Sequence, residues 1–105
     1  VYCAIPPECA INNGVTAISS GTTPSVFDLN TIYFTHSSPA TVTAFVNGND
    51  GQELTLLFNN SNVTIGHGTS IKLSGGSNFG GTANDTMRLV LYNDVAYELT
   101  RAVIA

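Results

Sequence analysis

Short apolar pairs recur through the second half of this 105-residue chain and are separated by Gly, Asn and Ser. Their spacing of about eight to ten residues is typical of many short β-strands joined by tight turns. Leu54, Leu56 and Phe58 alternate with polar or outward positions, which places them on one face of a strand. No apolar stripe with helical spacing is longer than a turn. The sequence therefore predicts an all-β fold of short antiparallel strands, either a β-sandwich or a β-prism-like or triple-β-helix-like module.

The pattern divides the chain into a lead-in and a body within a single module, residues 1–105. Residues 1–25 are predicted to be irregular, since Pro6-Pro7 excludes a regular helix or central strand, and only Val15–Ile18 has the character of a short strand. Residues 26–102 form the β-structured body. Its predicted strands include Ile32 and Phe34, residues 41–46, residues 53–58, Val63 and Ile65, Ile71 and Leu73, and a closing hairpin turned at Asn93-Asp94.

Charge is sparse, at 10% of residues against about 25% in ordinary globular domains. The formal net charge is −4, and the three cations, Lys72, Arg88 and Arg101, are scattered. Nucleic-acid binding needs clustered Lys and Arg to displace counterions, so this class of partner is excluded. No apolar run approaches the roughly 20 residues of a membrane-spanning helix, and no membrane insertion is expected.

The chain contains residue types that can act in catalysis or bind metals, but they do not form a recognisable catalytic or metal-binding motif. A glycosidase needs two facing carboxylates in a cleft, and most carboxylates here fall at predicted turns or strand ends, where Asp caps backbone amides. His36 and His67 are isolated from each other and from the cysteines, so neither a metal site nor a cofactor is predicted. Cys3 and Cys9 form either a small-loop disulfide or two free thiols, and the spacing does not decide between them.

Strands of four or five residues bury only two side chains on one face, which predicts a thin core in a single copy. Such elements become stable by stacking on each other or on symmetry mates. Few charged side chains are available to keep the exposed strand edges from pairing with other chains. Both arguments predict a self-associating protein, with three chains around one axis.

A series of short motifs in the second half resembles the C-terminal modules of bacteriophage tail fibres and tailspikes. The motifs are 51–56 (GQELTL), 64–68 (TIGHG), 71–75 (IKLSG), 84–91 (NDTMRLVL) and 97–101 (YELTR), with Tyr97 where such modules often carry Trp. The resemblance covers about residues 45–102. It implies a homotrimeric, all-β, non-catalytic appendage module of a virion, exposed to the extracellular medium and contributing to trimerisation and host-surface attachment.

Two other functions remain open under this resemblance. The module itself could recognise a bacterial surface glycan, for which Tyr33, Tyr92 and Tyr97 are the candidate residues, although all three also suit strand packing. It could instead act as a folding chaperone that registers three upstream chains. Glu98 and Arg101 are predicted subunit-interface residues, because residues three apart on a regular strand face opposite sides and an intrachain pair is not expected. Met87, Leu89 and Leu91 are predicted to point into a core shared by the three chains.

Overall fold

The computed structural model describes residues 14–104. The predictions for Cys3, Cys9 and Pro6-Pro7 lie outside the described residues. Within the described range there is no α-helix, and nine strands alternate with turns. The strands are β1 (Val15–Ile18), β2 (Thr31–Phe34), β3 (Ala40–Val42), β4 (Glu53–Phe58), β5 (Val63–Ile65), β6 (Ile71–Lys72), β7 (Phe79–Gly80), β8 (Thr86–Tyr92) and β9 (Val95–Ala102).

Two sheets form the body. The larger sheet has six strands in the order β1-β2-β4-β8-β9-β6, and the smaller has three in the order β3-β5-β7. A single 3₁₀ turn at Ser74–Gly76 interrupts the strands of the described range. This architecture confirms the predicted all-β class and selects the sandwich from the alternatives.

The predicted antiparallel pairing holds for only part of the fold. β4–β8, β5–β7 and β8–β9 are antiparallel, whereas β1–β2, β2–β4, β3–β5 and β6–β9 are parallel. The reason is the path of the chain. Between β2 and β4 it passes through β3 of the other sheet, so it re-enters the large sheet in its original direction. A short segment of sequence does not indicate which strands pair across such a crossover.

The core lies between the two sheets and is built by the inward positions that alternate along each strand. Fully buried side chains come from both sheets, among them Ile32, Leu54, Leu56, Met87 and Leu89 from the large sheet and Val42, Val63 and Ile65 from the small one. The ring of Phe58 lies between those of Phe34 and Phe79, at centroid distances of 5.5 and 5.7 Å. The expectation of a thin core completed by symmetry mates is therefore wrong, because the loops and both sheets of one chain close around these side chains.

One predicted strand changes its bounds, and the predicted closing turn is confirmed. The strand predicted over residues 41–46 is shorter, since β3 ends at Val42 and Val46 only forms an isolated bridge with Ser25. The predicted turn at Asn93-Asp94 is confirmed, and both residues have positive φ, of 53° and 63°. Positive φ at both central positions defines the hairpin turn whose twist matches that of its flanking strands.

We expect Leu89→Ala to destabilise the folded chain by about 2–5 kcal/mol, because Leu89 is fully buried and its removal leaves a cavity. Urea denaturation followed by circular dichroism measures the change. Thr69→Ala, on an exposed turn, is the control and should unfold like the parent. Equal midpoints for Leu89→Ala and the parent would contradict the core assignment of β8.

Candidate functional site

The outward side chains of the large sheet form a broad surface with few charges, here called the outer face. Strand register assigns its members: Val15, Ala17, Thr31, Tyr33, Glu53, Thr55, Leu57, Lys72, Thr86, Arg88, Val90, Tyr92, Val95, Tyr97, Thr100 and Ala102. Arg88 forms an exposed ion pair with Glu53 across β4 and β8, which leaves Lys72 as the remaining charged side chain of this set. The solvated face of a sheet is ordinarily polar, so an apolar and aromatic outer face is unusual.

All three tyrosines predicted to bind glycan lie on the outer face, but they do not form one cluster. Tyr92 and Tyr97 are diagonal neighbours on β8 and β9, since Val90 pairs with Tyr97 and Tyr92 pairs with Val95. They are 61% and 40% exposed. Tyr33 lies on β2, three strands from β9, and its hydroxyl donates to Asn59 Oδ1 at 2.6 Å. Three strand spacings are about 14 Å, so Tyr33 is separate from the other two.

A β-bulge in β9 brings together the two residues predicted to serve a subunit interface. Arg88 pairs with Thr100 whereas Leu89 pairs with Glu98, so Leu99 is the extra residue of the bulge. An extra residue reverses the alternation of side chains beyond it. Glu98 and Arg101 consequently face the same side, and Arg101 Nε and Nη2 donate to the two carboxylate oxygens of Glu98 at 2.6 and 2.7 Å. The expectation of no intrachain pair is wrong for this reason, while an interface role for either residue stays a prediction.

The Glu98–Arg101 pair closes one edge of the sandwich. Glu98 Oε1 also accepts the backbone N–H of Ser74 at 2.7 Å, and its side chain is only 3% exposed. The Arg101 guanidinium lies 4.5 Å above the ring centroid of Phe79 in the small sheet. The pair thus ties β9 to the turn after β6 and to β7. A depression of about 390 Å³, lined by Ser74 and residues 98–101, opens beside it.

The electrostatics of the pair follow from these contacts. The hydrogen bonds from Arg101 hold the pKa of the Glu98 carboxyl below its ordinary value, against the opposing effect of burial and with help from the Ser74 amide. The same hydrogen bonds raise the pKa of Arg101. Both groups are charged at neutral pH, and neither is suited to exchange a proton there.

A second exposed feature, which the sequence reading missed, is an aromatic side chain at the tip of a turn. Leu29 N donates to Val26 O at 3.0 Å, which makes Phe27 and Asp28 the central residues of a β-turn, and Asp28 has a φ of 58°. Val26 is fully buried whereas Phe27 is 66% exposed. Apolar residues alternate along Val26–Leu29 as they do in a strand, whereas Asp28 is a residue type that favours turns, and the structure has a turn here.

The remaining polar groups of note serve the fold. Asp85 is buried and accepts hydrogen bonds from Thr82 N, Thr82 Oγ1 and Ile104 N, which fixes the turn before β8 and the end of the described chain. His67 is half-buried, and its Nδ1 accepts the Leu73 N–H at 3.0 Å, so this imidazole holds the chain between β5 and the turn after β6. Among residues 14–104, no three His, Cys, Asp or Glu side chains lie close enough together to hold a metal ion.

The comparison with protein families reports on this architecture directly. The model of the phage depolymerase C-terminal β-sandwich domain matches residues 11–94, which is most of the chain. The chain belongs to this family. The match confirms a phage tailspike-like module, and it extends the recognisable region well upstream of residue 45. Neither a curated protein nor a solved structure matches the chain.

Membership in the depolymerase C-terminal family places the chain in a virion-associated tail protein. It accounts for the two-sheet architecture and for the matched range, which contains strands β1 to β8. No helix in the described part of the chain is long and apolar enough to cross a membrane.

We predict that Glu98→Gln changes the pH dependence of stability of this β-sandwich. Glu98 has a lowered pKa in the folded chain, so its charge stabilises the fold above the unfolded pKa of about 4.3, and this contribution is lost as pH falls through the folded pKa. The difference in unfolding free energy between parent and Glu98→Gln should be largest above about pH 5 and shrink towards pH 3. Urea titrations at stepped pH values measure it.

Glu53→Gln is the matched control, because it removes an ion pair that is about half exposed on both sides and contributes little. A Glu98→Gln difference that stays constant from pH 3 to pH 7 would show that the carboxylate charge does not stabilise this edge.

Proposed function

We propose that this domain is a non-catalytic assembly module of a phage tailspike depolymerase, that it associates with two further copies of itself, and that it thereby contributes to host-surface attachment by the tailspike. The observation that carries the proposal is the outer face of the large sheet. Family membership supports the tailspike context. The trimeric state and the attachment role are inferences from the surface and from the resemblance.

The composition of the outer face supports a covered rather than a solvated surface. Val15 is 57% exposed in the single chain, and Leu57, Val90 and Val95 are half-buried. Their neighbours on this face are mostly threonines and tyrosines. The large sheet is mixed, but strands β1, β2 and β4 within it pair in parallel, and sheets that are parallel throughout occur almost only where both faces are covered. The parallel part of the sheet therefore favours a cover on its outer side. The small sheet covers one side of the large sheet, and a second copy of the chain is the proposed cover for the other.

The charge distribution favours self-association over binding to a highly charged partner. Glu53 and Arg88 neutralise each other at the centre of the outer face. A surface with one internal ion pair and many apolar atoms presents no large field of one sign, so copies of it approach each other without repulsion.

A role as a folding chaperone for an upstream fibre is compatible with the same surface, since a module that registers three chains must first self-associate. The glycan-binding role of Tyr33, Tyr92 and Tyr97 also stays a prediction. Burial of the outer face between copies would cover Tyr33, whereas Tyr92 lies at the end of β8 beside the hairpin turn.

We expect the parent chain to show the mass of three copies by multi-angle light scattering at micromolar concentration, and Val90→Lys to shift it towards the monomer. Val90 lies between Glu53 and Tyr97 on the outer face, and a buried unpaired ammonium there opposes association. Thr41→Lys is the control, because it adds the same charge to the exposed side of the small sheet.

Circular dichroism should show the same β-structure for both variants, since both replaced side chains point away from the core. A monomeric parent at micromolar concentration, or an unchanged mass for Val90→Lys together with loss of association for Thr41→Lys, would contradict the proposal.

A further inference from the structure

One end of the sandwich combines two exposed aromatic side chains with side-chain carboxylates and amides. Three loops or turns contribute to this end, here called the Phe27 pole and defined by Phe27, Asp28, Asn49, Asp50, Tyr92 and Asp94. Phe27 and Tyr92 are 66% and 61% exposed. Exposed aromatic rings of this kind have no role in the core of the chain, so the pole is a candidate contact surface.

The loops of the pole converge on Gly48. A Cβ built on Gly48 would lie 2.2 Å from Leu91 Cδ1 and 3.2 Å from Val26 Cγ2, so any side chain there would displace the side chain of Leu91. Val26 precedes Phe27 and Leu91 precedes Tyr92, and the close approach at Gly48 therefore holds the two aromatic residues at the same end. Two strand spacings separate β2 from β8, which is about 10 Å.

Gln52 holds the Phe27 turn in one conformation. Its Nε2 donates to Val26 O and to Leu29 O, both at 2.8 Å, and its Oε1 accepts the Asn49 N–H at 2.9 Å. Every hydrogen on the amide is used in clamping the two ends of the turn. An exposed aromatic ring on a fixed backbone loses little conformational entropy when it binds, which is the property of a pre-organised contact.

The opposite side of the pole is fixed in the same way. Asp50 Oδ1 accepts the Asn93 N–H at 2.8 Å, and Gly51 N donates to Leu91 O at 2.7 Å. These bonds join the loop before β4 to the turn between β8 and β9. A carboxylate accepts about four hydrogen bonds, so Asp50 retains acceptor capacity towards a ligand.

The charges of the pole restrict the class of ligand. Asp28, Asp50 and Asp94 are all exposed. Among the described cations, Arg88 pairs with Glu53, Arg101 pairs with Glu98, and Lys72 lies on β6 at the far edge of the large sheet from β2. An anionic polymer would meet three carboxylates and no adjacent cation, which disfavours phosphate, sulfate and uronate groups.

We propose that the Phe27 pole binds an uncharged or N-acetylated glycan strand. The C–H face of a sugar ring carries a slight positive charge and stacks on the negative face of Phe27, and a second ring along the strand reaches Tyr92. Asp28 and Asp50 accept hydrogen bonds from sugar hydroxyls or from an N-acetyl N–H. This ligand site goes beyond the assembly role proposed above and does not depend on it.

Isothermal titration calorimetry of the whole chain against three named probes tests the site: a dextran oligosaccharide, an N-acetylglucosamine oligosaccharide and an oligogalacturonate. We expect heat of binding with at least one of the first two probes and none with the oligogalacturonate. Phe27→Ala should weaken the binding at least about tenfold, which is the loss of roughly 1.4 kcal/mol that one aromatic stacking contact contributes.

Leu99→Ala is the matched control, because it removes an exposed apolar side chain that lies outside both the pole and the outer face, and it should leave glycan affinity unchanged. Phe27 is 66% exposed and is not one of the core residues, so Phe27→Ala should melt close to the parent. Binding that survives Phe27→Ala, preference for the oligogalacturonate, or the absence of heat with all three probes would overturn the proposal.

Light scattering separates this proposal from the assembly role. We expect Phe27→Ala to keep the mass of the parent chain. A fall to the monomer would instead assign the Phe27 pole to contacts between copies and would overturn the glycan site while supporting self-association.

Discussion

Packing of Phe58 between the two sheets is the contact on which the rest of the structure depends. Its ring lies against Phe34 in the large sheet and Phe79 in the small one. A Cβ on Gly81 would come within 2.2 Å of that ring, so a glycine is required where the chain leaves β7. Strands this short bury few side chains each, and a large aromatic residue shared by both layers joins them into one core.

The bulge at Leu99 extends this core to the edge of the sandwich. Without the extra residue, Arg101 would point away from Phe79, and Glu98 would be buried without its partner. A buried carboxylate that lacks a partner is costly. The single extra residue in β9 therefore decides whether the Glu98–Arg101 pair stabilises this edge or opposes folding. This is also why two residues that were not expected to meet within one chain form an ion pair.

The outer face and the Phe27 pole meet at Tyr92 and suit two kinds of contact. The outer face is broad, follows the large sheet and carries few charges, which are features of an interface between copies. The pole is small, is built from clamped turns and has acceptors around exposed rings, which are features of a ligand site. In a trimer around one axis both proposals are compatible if the outer faces meet and the poles point along the axis.

The sequence by itself determined the all-β class, the inward residues of β4, β5 and β8, and the turn at Asn93-Asp94, because alternation and turn chemistry are local properties. The order of its short motifs also indicated the resemblance to C-terminal modules of phage tail fibres and tailspikes. Only the tertiary structure decided the parallel pairing of β1, β2 and β4, which depends on crossovers between sheets. The approach of Glu98 to Arg101 depends on a bulge defined by the partner strand, and the exposure of Phe27 depends on Gln52, 25 residues away. Contacts between distant segments fix these features, and no local pattern encodes them.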